Sequence, residues 1–544
     1  MSAYEPQHLP IQVNYGIINA KAFIIIYLNA LAGSKSKICS LQSGDYTITL
    51  RFYGIIALYP EQGGDRLNKY KNLALNTIIF AVGSFSSKLF SLLLNNLYTK
   101  HFSPSGFYTK TLLDTLLLFM LPVFTFSITE AVVRYGLDKK YDKTCIFTTA
   151  AVITGIGLSA MAVISPFLHF IPFLRQISGY TVLLVVYICA SAARALCSQF
   201  VRAREMVKLF ALDGILTTML LFIFSLIFIS GMGLGVRGFM LSGILSDLCS
   251  ALFLFTAANL RKFLDIRAFS PEFGRAMLRF SLPLVPTAVM WTFTGFSDQI
   301  FIGNIHSEKV FTGVDAAGIY SAATKVPNLV SMAATVFFQA WNMSAITEND
   351  SADREAFYEK VFASFEAMLF IGAAALMLIL RPVSALLINY STYPEYADAY
   401  KYTPLLIAAA VFTCLDLFLN GIYTATGHTQ NAFWSIFAVC AVNIVLNLCL
   451  IPEWGIQGAA LATFLSYLLC YCIRMIDARY YVPFRFSPGK NAVNTGLLLA
   501  MCGLWIFRPS GYFVLLVLTA AGISVLNYRP MLLTVNKLLR REGK

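Results

Sequence analysis

From Leu209 to Ser230 the chain reads LFALDGILTTMLLFIFSLIFIS, a stretch with one charged residue, Asp213. A helix rising ~1.5 Å per residue crosses a hydrocarbon core of ~30 Å in about 20 residues, so this stretch reads as a membrane span. The same reading repeats on both sides of it. Between Leu73 and Tyr528, long apolar segments are separated only by short polar breaks. We draw the spans at 73–97, 111–134, 144–167, 179–201, 208–230, 237–259, 281–303, 316–340, 361–380, 403–425, 429–450, 456–474, 492–507 and 511–528. The composition agrees: 58% hydrophobic, 13% charged, mean hydropathy +0.68. A soluble domain carries nearer ~25% charged residues. The expectation is an all-α polytopic membrane protein of about fourteen transmembrane helices. It leaves no room for a soluble catalytic domain, so function is expected in or between the helices, and the chain is not expected to be an enzyme.

The net charge of +13 would suggest nucleic acid in a soluble protein. Here the positive-inside rule accounts for it. With the amino end of the bundle in the cytoplasm, the loops and the span ends that border them hold, from Leu67 onward, 25 Lys and Arg on the inner side and 8 on the outer side. That bias predicts an even number of spans with both termini cytoplasmic, and it removes the reason to invoke nucleic acid. The 11 cysteines are scattered, and the close pair Cys470/Cys472 points to different faces of one helix. The histidines are isolated. No disulfide framework, metal site or cofactor is expected.

Residues 1–66 differ from the rest. Their two apolar patches, around Phe23–Leu31 and Tyr53–Leu58, are too short to span. Gly63-Gly64-Asp65-Arg66 before Leu67 back-translates to a ribosome-binding sequence, a spacer and an alternative start codon. We therefore expect 1–66 to be a non-native or disordered extension, the native chain beginning at Leu67.

The remainder repeats itself. Phe85-Ser86-Ser87-Lys88-Leu89-Phe90 resembles Phe296-Ser297-Asp298-Gln299-Ile300-Phe301, and Gly106-Phe107-Tyr108-Thr109 resembles Gly318-Ile319-Tyr320-Ser321. Gly235-Val236-Arg237-Gly238 resembles Gly455-Ile456-Gln457-Gly458 at an offset of 220. The same glycines make a formal GxGxxG, but outside a βαβ unit that is no dinucleotide site. Spans 1–6 and 7–12 thus read as two copies of one unit in the same orientation. The division is 67–259 for the first six-helix bundle and 260–280 for a basic amphipathic linker capped by Ser270-Pro271. The second bundle follows over 281–474, and two further spans and a basic tail over 475–544.

Charges inside spans are costly and face a cavity or a partner. Lys88, Asp298 and Lys325 sit well inside the repeat-matched spans 1, 7 and 8. They make a cationic cleft suited to an anionic headgroup such as a diphosphate. Asp298 pairs with a lysine or binds a coupling proton or cation. The bland alternative is a set of fixed ion pairs holding the bundle. Arg194 either contacts substrate or pairs with Asp213 or Asp247, the internal pair being favoured. Glu130 and Arg134 have the spacing of a local helix pair. Pro286 and Pro327 interrupt helical bonding and serve as hinges or static bends. In the longest outer loop, Tyr390, Tyr393, Tyr396 and Tyr400 read as interfacial anchors rather than sugar platforms.

These features resemble the polysaccharide-transport, oligosaccharide-lipid flippase branch of the multidrug/oligosaccharidyl-lipid/polysaccharide exporter superfamily. The carrying residues are Gly83-Ser84-Phe85-Ser86-Ser87-Lys88, Leu97-Tyr98-Thr99-Lys100, Phe280-Ser281-Leu282-Pro283-Leu284-Val285-Pro286 and Ser297-Asp298-Gln299-Ile300-Phe301-Ile302-Gly303. Further along come Ala317-Gly318-Ile319-Tyr320-Ser321, Lys325-Val326-Pro327 and Gln339-Ala340-Trp341. Relatives often place Arg after the span 7 Asp, where this chain has Gln299. The resemblance implies two six-helix bundles giving alternating access to a central cavity in a bacterial cell membrane. The implied cargo is a polyprenyl-diphosphate oligosaccharide for surface polymer, moved by a monomer among membrane lipids. The rivals are a multidrug or cation antiporter of the same superfamily and a flippase for the peptidoglycan precursor.

Overall fold

The computed structural model describes residues 39–43, 46–50, 87 and 90–541, apart from 139, 171–176, 348–353 and 427–428. The chain divides into two units, Met1–Asn72 and Leu73–Lys544. In the first, Cys39–Ser43 pairs antiparallel with Tyr46–Leu50 as a hairpin. The expected extension over 1–66 and the expected start at Leu67 otherwise fall outside the described residues.

The second unit is helical. Its first half comprises α1 (90–101), α2 (Pro104–Phe124), α3 (Ile128–Leu137), α4 (Lys143–Ile164), α5 (Thr181–Ala203), α6 (Val207–Ser225) and α7 (Gly235–Ala257). Next come α8 (Pro271–Ser281), α9 (Leu284–Asn304), α10 (Val314–Ala323), α11 (Asn328–Thr347), α12 (Arg354–Leu378) and the short α13 (Leu380–Leu387). The series ends with α14 (Thr403–Thr426), α15 (Thr429–Tyr481), α16 (Pro488–Phe507) and α17 (Tyr512–Arg541). Ten helical stretches among the described residues are long and apolar enough to cross a membrane. The other drawn spans have local reasons for escaping that criterion. Span 1 lies largely outside the described residues. Spans 11 and 12 are both in α15, which turns at Gly455 with φ 56°, ψ −133°. Span 8 is broken between α10 and α11. Span 13 carries Asn491 and Asn494 in the early turns of α16.

Two breaks matter for function. The helix of span 8 stops at Ala323 and restarts at Asn328, with Lys325 and Pro327 in the gap. Proline lacks the N–H that would continue the ladder, so the break is written into the sequence. Pro286, by contrast, lies in the first turn of α9, where its missing N–H costs no bond. Together with Pro283 it marks the junction between α8 and α9. Ser270 caps α8 by accepting from the Phe273 N–H at 3.2 Å.

The repeat has a structural counterpart. Gly235 and Gly455 both have positive φ, +55° and +56°. Three residues on, Gly238 and Gly458 each press against a carbonyl of the preceding helix, Phe228 O and Leu450 O. A Cβ would lie 2.9 and 2.4 Å away, so neither position admits a side chain without backbone movement.

Candidate functional site: a cavity between the halves and two buried polar networks

The halves meet at one end, the end that the charge count assigns to the outside. There α2 packs on α9 and α10. Gly318 lies so close to Pro104 O that a Cβ would sit 1.9 Å from it, and Gly303 faces the Tyr108 hydroxyl. Hydrogen bonds cross the same seam. Asn95 and Asn96 donate to the carbonyls of Leu387 and Leu386, both at 2.8 Å. The Asn389 N–H donates to Thr99 Oγ1 at 2.8 Å. The Tyr396 hydroxyl donates to Phe102 O at 3.1 Å, so this expected interfacial anchor is a buried strut.

Beneath the seal lies a cavity of about 410 Å³. Asn95, Tyr98, Lys110 and Asp114 line it from the first half, and Lys325 and Asn328 from the second. Lys110 pairs with Asp114 at 2.6 Å and lies over the rings of Tyr98 and Phe239. Lys325 projects from the Pro327 break with its ammonium 5.7 Å from the Phe107 ring centre. It has no carboxylate within ion-pair distance among the described residues, so the pair-balanced cavity carries one surplus cation. Lys110 escaped the sequence reading because it sits one residue before the segment drawn for span 2. Its i,i+4 partner Asp114 was the available signal. Lys88 lies outside the described residues.

The first half holds an ion-paired network of one guanidinium and two carboxylates. Arg194 on α5 bonds Asp213 on α6 at 3.2 Å and Asp247 on α7 at 2.9 Å. Ser198 adds a bond to Asp213 at 3.1 Å, and Ser250 and Ser191 donate to Asp213 and Asp247. Three helices are thereby tied by opposite charges.

The second half is built otherwise. Asp298 on α9 is buried and accepts from Asn447 at 2.6 Å, Asn443 at 3.3 Å, the Tyr320 hydroxyl at 2.7 Å and Thr463. All four donors are neutral. No Lys or Arg lies within ion-pair distance of this carboxylate among the described residues, so Asp298 does not pair with Lys325. Asn447 Oδ1, buried beside it, has no hydrogen-bond partner. An uncompensated carboxylate next to an orphaned carbonyl oxygen, ringed by Thr and Asn, is a donor set suited to a proton or a hard monovalent cation. Gln299, where relatives often have Arg, instead accepts from Ser321 at 3.0 Å.

Glu130 lies apart from all three sites, exposed on α3. Its i+4 neighbour Arg134 stacks on Phe280 at 4.6 Å.

Residues 73–342 match the family described as polysaccharide biosynthesis protein. An uncharacterized membrane protein of Methanocaldococcus jannaschii is 20% identical over 308 residues, 51% of this chain. The chain spans 59% of that relative's length. Among solved structures, the lipid II flippase MurJ in an inward closed conformation matches at a TM-score of 0.62 and 14% identity, covering 85% of this chain and all of that one. An inward-facing multidrug resistance MATE family transporter of the MOP superfamily matches at 0.57 and 15% identity, covering 74% of this chain and 98% of that one. Residues 73–342 thus carry the pattern of the polysaccharide biosynthesis family, and the polytopic helical fold is that of these flippase and transporter structures.

Proposed function

We propose that the protein carries a polyprenyl-diphosphate-linked oligosaccharide from the inner to the outer leaflet of a bacterial cell membrane by alternating access, for surface polysaccharide biosynthesis. The observation that carries this reading is Lys325: a cation without a counter-charge, displayed by a broken helix into the cavity where the halves meet. A diphosphate supplies the missing charge. Lys325 and Lys110 hold it, Lys110 exchanging Asp114 for phosphate, and Lys88 joins them from span 1. Arg194 is assigned to the internal network instead, since it pairs with the carboxylates of Asp213 and Asp247 and donates to Thr217.

Asp298 is the coupling site. Its carboxylate binds a proton or sodium ion within the second half, and the α10–α11 break at Pro327, joined to the same half, transmits the change to Lys325. Pro286 gives a second flexible point where α9 leaves the membrane surface. The protein works as a monomer whose partners are its lipid-linked cargo, the coupling ion and the surrounding lipid.

The test is deletion of the gene followed by mass spectrometry of polyprenyl-diphosphate oligosaccharides. Accumulation of a complete repeat unit with loss of surface polymer supports the reading and identifies the cargo. Accumulation of the peptidoglycan precursor would assign the chain to that substrate, a reading favoured by its likeness to the lipid II flippase. An unchanged lipid pool with raised sensitivity to cationic drugs would overturn the proposal in favour of an extruder.

A further inference from the structure

A second cationic site lies away from the cavity, in the turn after α16. Arg508 has φ +46°, a left-handed conformation at a helix C-cap where glycine is the default. An arginine tolerating that backbone implies a use for its side chain. The side chain is held in place: Nε donates to Trp505 O at 3.2 Å, and the guanidinium lies 4.8 Å from the Tyr400 ring centre and 5.8 Å from that of Trp505. Its Nη2 is buried and has no hydrogen-bond partner. From α13, the Arg381 guanidinium also lies near Tyr400, 5.3 Å from its ring centre. Neither guanidinium has a carboxylate within ion-pair distance among the described residues. The nearby Asp398 is taken by Lys401 at 2.7 Å. Burial opposes ionisation of the Tyr400 phenol, but the two guanidiniums outweigh it and hold its pKa below the ordinary value.

We propose that Arg381, Arg508 and the Tyr400 hydroxyl form a phosphate-binding site at the membrane surface, separate from the transport cavity. Two guanidinium forks beside one tyrosine, 5.3 and 4.8 Å from its ring centre, suit the tetrahedral oxygens of a phosphate group. The setting fits a phosphate at headgroup level: Ile379, Leu386 and Phe507 around the site are exposed apolar side chains, and Trp505 and Tyr512 supply the aromatic contacts found at bilayer interfaces. The phosphate comes from a phospholipid headgroup or from free inorganic phosphate. The site also borders the seal, because α13 carries Arg381 near its start and the acceptors of Asn95 and Asn96 at its end.

The test uses the full-length protein in detergent and native mass spectrometry with phosphatidylglycerol as probe. Wild type is expected to retain the lipid, and Arg381→Gln/Arg508→Gln to bind it at least about tenfold more weakly, two charge-assisted contacts being lost. Should the double variant fail to fold, Arg508→Lys and Tyr400→Phe keep the charge but remove the fork or the hydroxyl, and each is expected to weaken binding by a smaller factor. Inorganic phosphate at millimolar concentration separates the sources. Displacement of the lipid assigns the site to the free anion, and failure to displace it assigns it to the lipid phosphate, with the site upheld either way. Equal retention of phosphatidylglycerol by wild type and folded variants, with no shift in thermal stability of either on adding phosphate, would overturn it.

Discussion

The two halves share one plan, yet the polar networks around Arg194 and Asp298 are built differently. At repeat-matched positions the second half has Asp298, Tyr320, Asn443, Asn447 and Thr463. The first has Ser87, Tyr108, Ile223, Ile227 and Gly243. The tyrosine is kept and re-used. Tyr320 donates to Asp298, whereas the Tyr108 hydroxyl abuts Gly303 of the other half. The first half places its charges elsewhere: Arg194 pairs with both Asp213 and Asp247, and serines complete the bonding of the two carboxylates. Carboxylates paired with a guanidinium are costly to strip of it, while a carboxylate supported only by neutral donors has room for a positive ion. Symmetry of backbone thus conceals asymmetry of chemistry; on the proposed function, the first half is the rigid partner and the second the coupled one.

Asp298→Asn probes that division with the largest expected effect. The amide keeps the shape and removes the charge, so membrane abundance should stay near wild type while transport falls by at least about tenfold, hydrogen bonds to a charged group being worth roughly 1.5–3 kcal/mol each. Immunoblotting and polymer assay together decide it. Loss of the protein itself would place Asp298 in the same structural class as the first-half triad.

Arg194→Leu should do the reverse. It leaves Asp213 and Asp247 buried without their cation, at about 3 kcal/mol after allowing for the partial exposure of the arginine. A lowered thermal midpoint, partly restored by adding Asp247→Asn, is the expected outcome. A stable but inactive Arg194→Leu protein would move this residue to the substrate.

Gly318→Ala tests the seal between the halves. Its methyl group would collide with Pro104 O, which cannot swing aside as a side chain does, so the seam should open. Labelling of Ser105→Cys from outside the cell should rise several-fold; unchanged labelling would show that the seam yields without opening. The smallest effect is assigned to Arg134→Ala, which removes a cation–π contact with Phe280 worth about 0.5–1 kcal/mol. A large loss of transport in this variant would bring Glu130 and Arg134 back as functional residues.

Much of this was legible in the sequence because the bilayer imposes it. Span length, the parallel repeat and the Ser270-capped helix all follow from local pattern, and Pro327 announces the break that displays Lys325. What the sequence hid depended on which face of a helix meets which neighbour. Asp298 and Lys325 look like members of one cleft when read along the chain. In the fold they point apart, one into its own half and one into the cavity, because Asn443, Asn447 and Thr463 from α15 enclose the carboxylate. Lys110 was hidden by a boundary one residue too late, and the Arg381–Arg508 pair by a separation of 127 residues that only folding closes.

The most direct test of the central claim is the pool of complete lipid-linked oligosaccharide in cells whose only copy carries Lys325→Ala, measured by mass spectrometry at matched protein abundance. Loss of a charged phosphate contact worth about 2 kcal/mol predicts roughly thirtyfold weaker cargo binding, hence accumulation of the lipid-linked unit and loss of surface polymer. A wild-type pool and normal polymer would contradict the account, for the unpaired cation in the cavity would then have no part in moving the cargo.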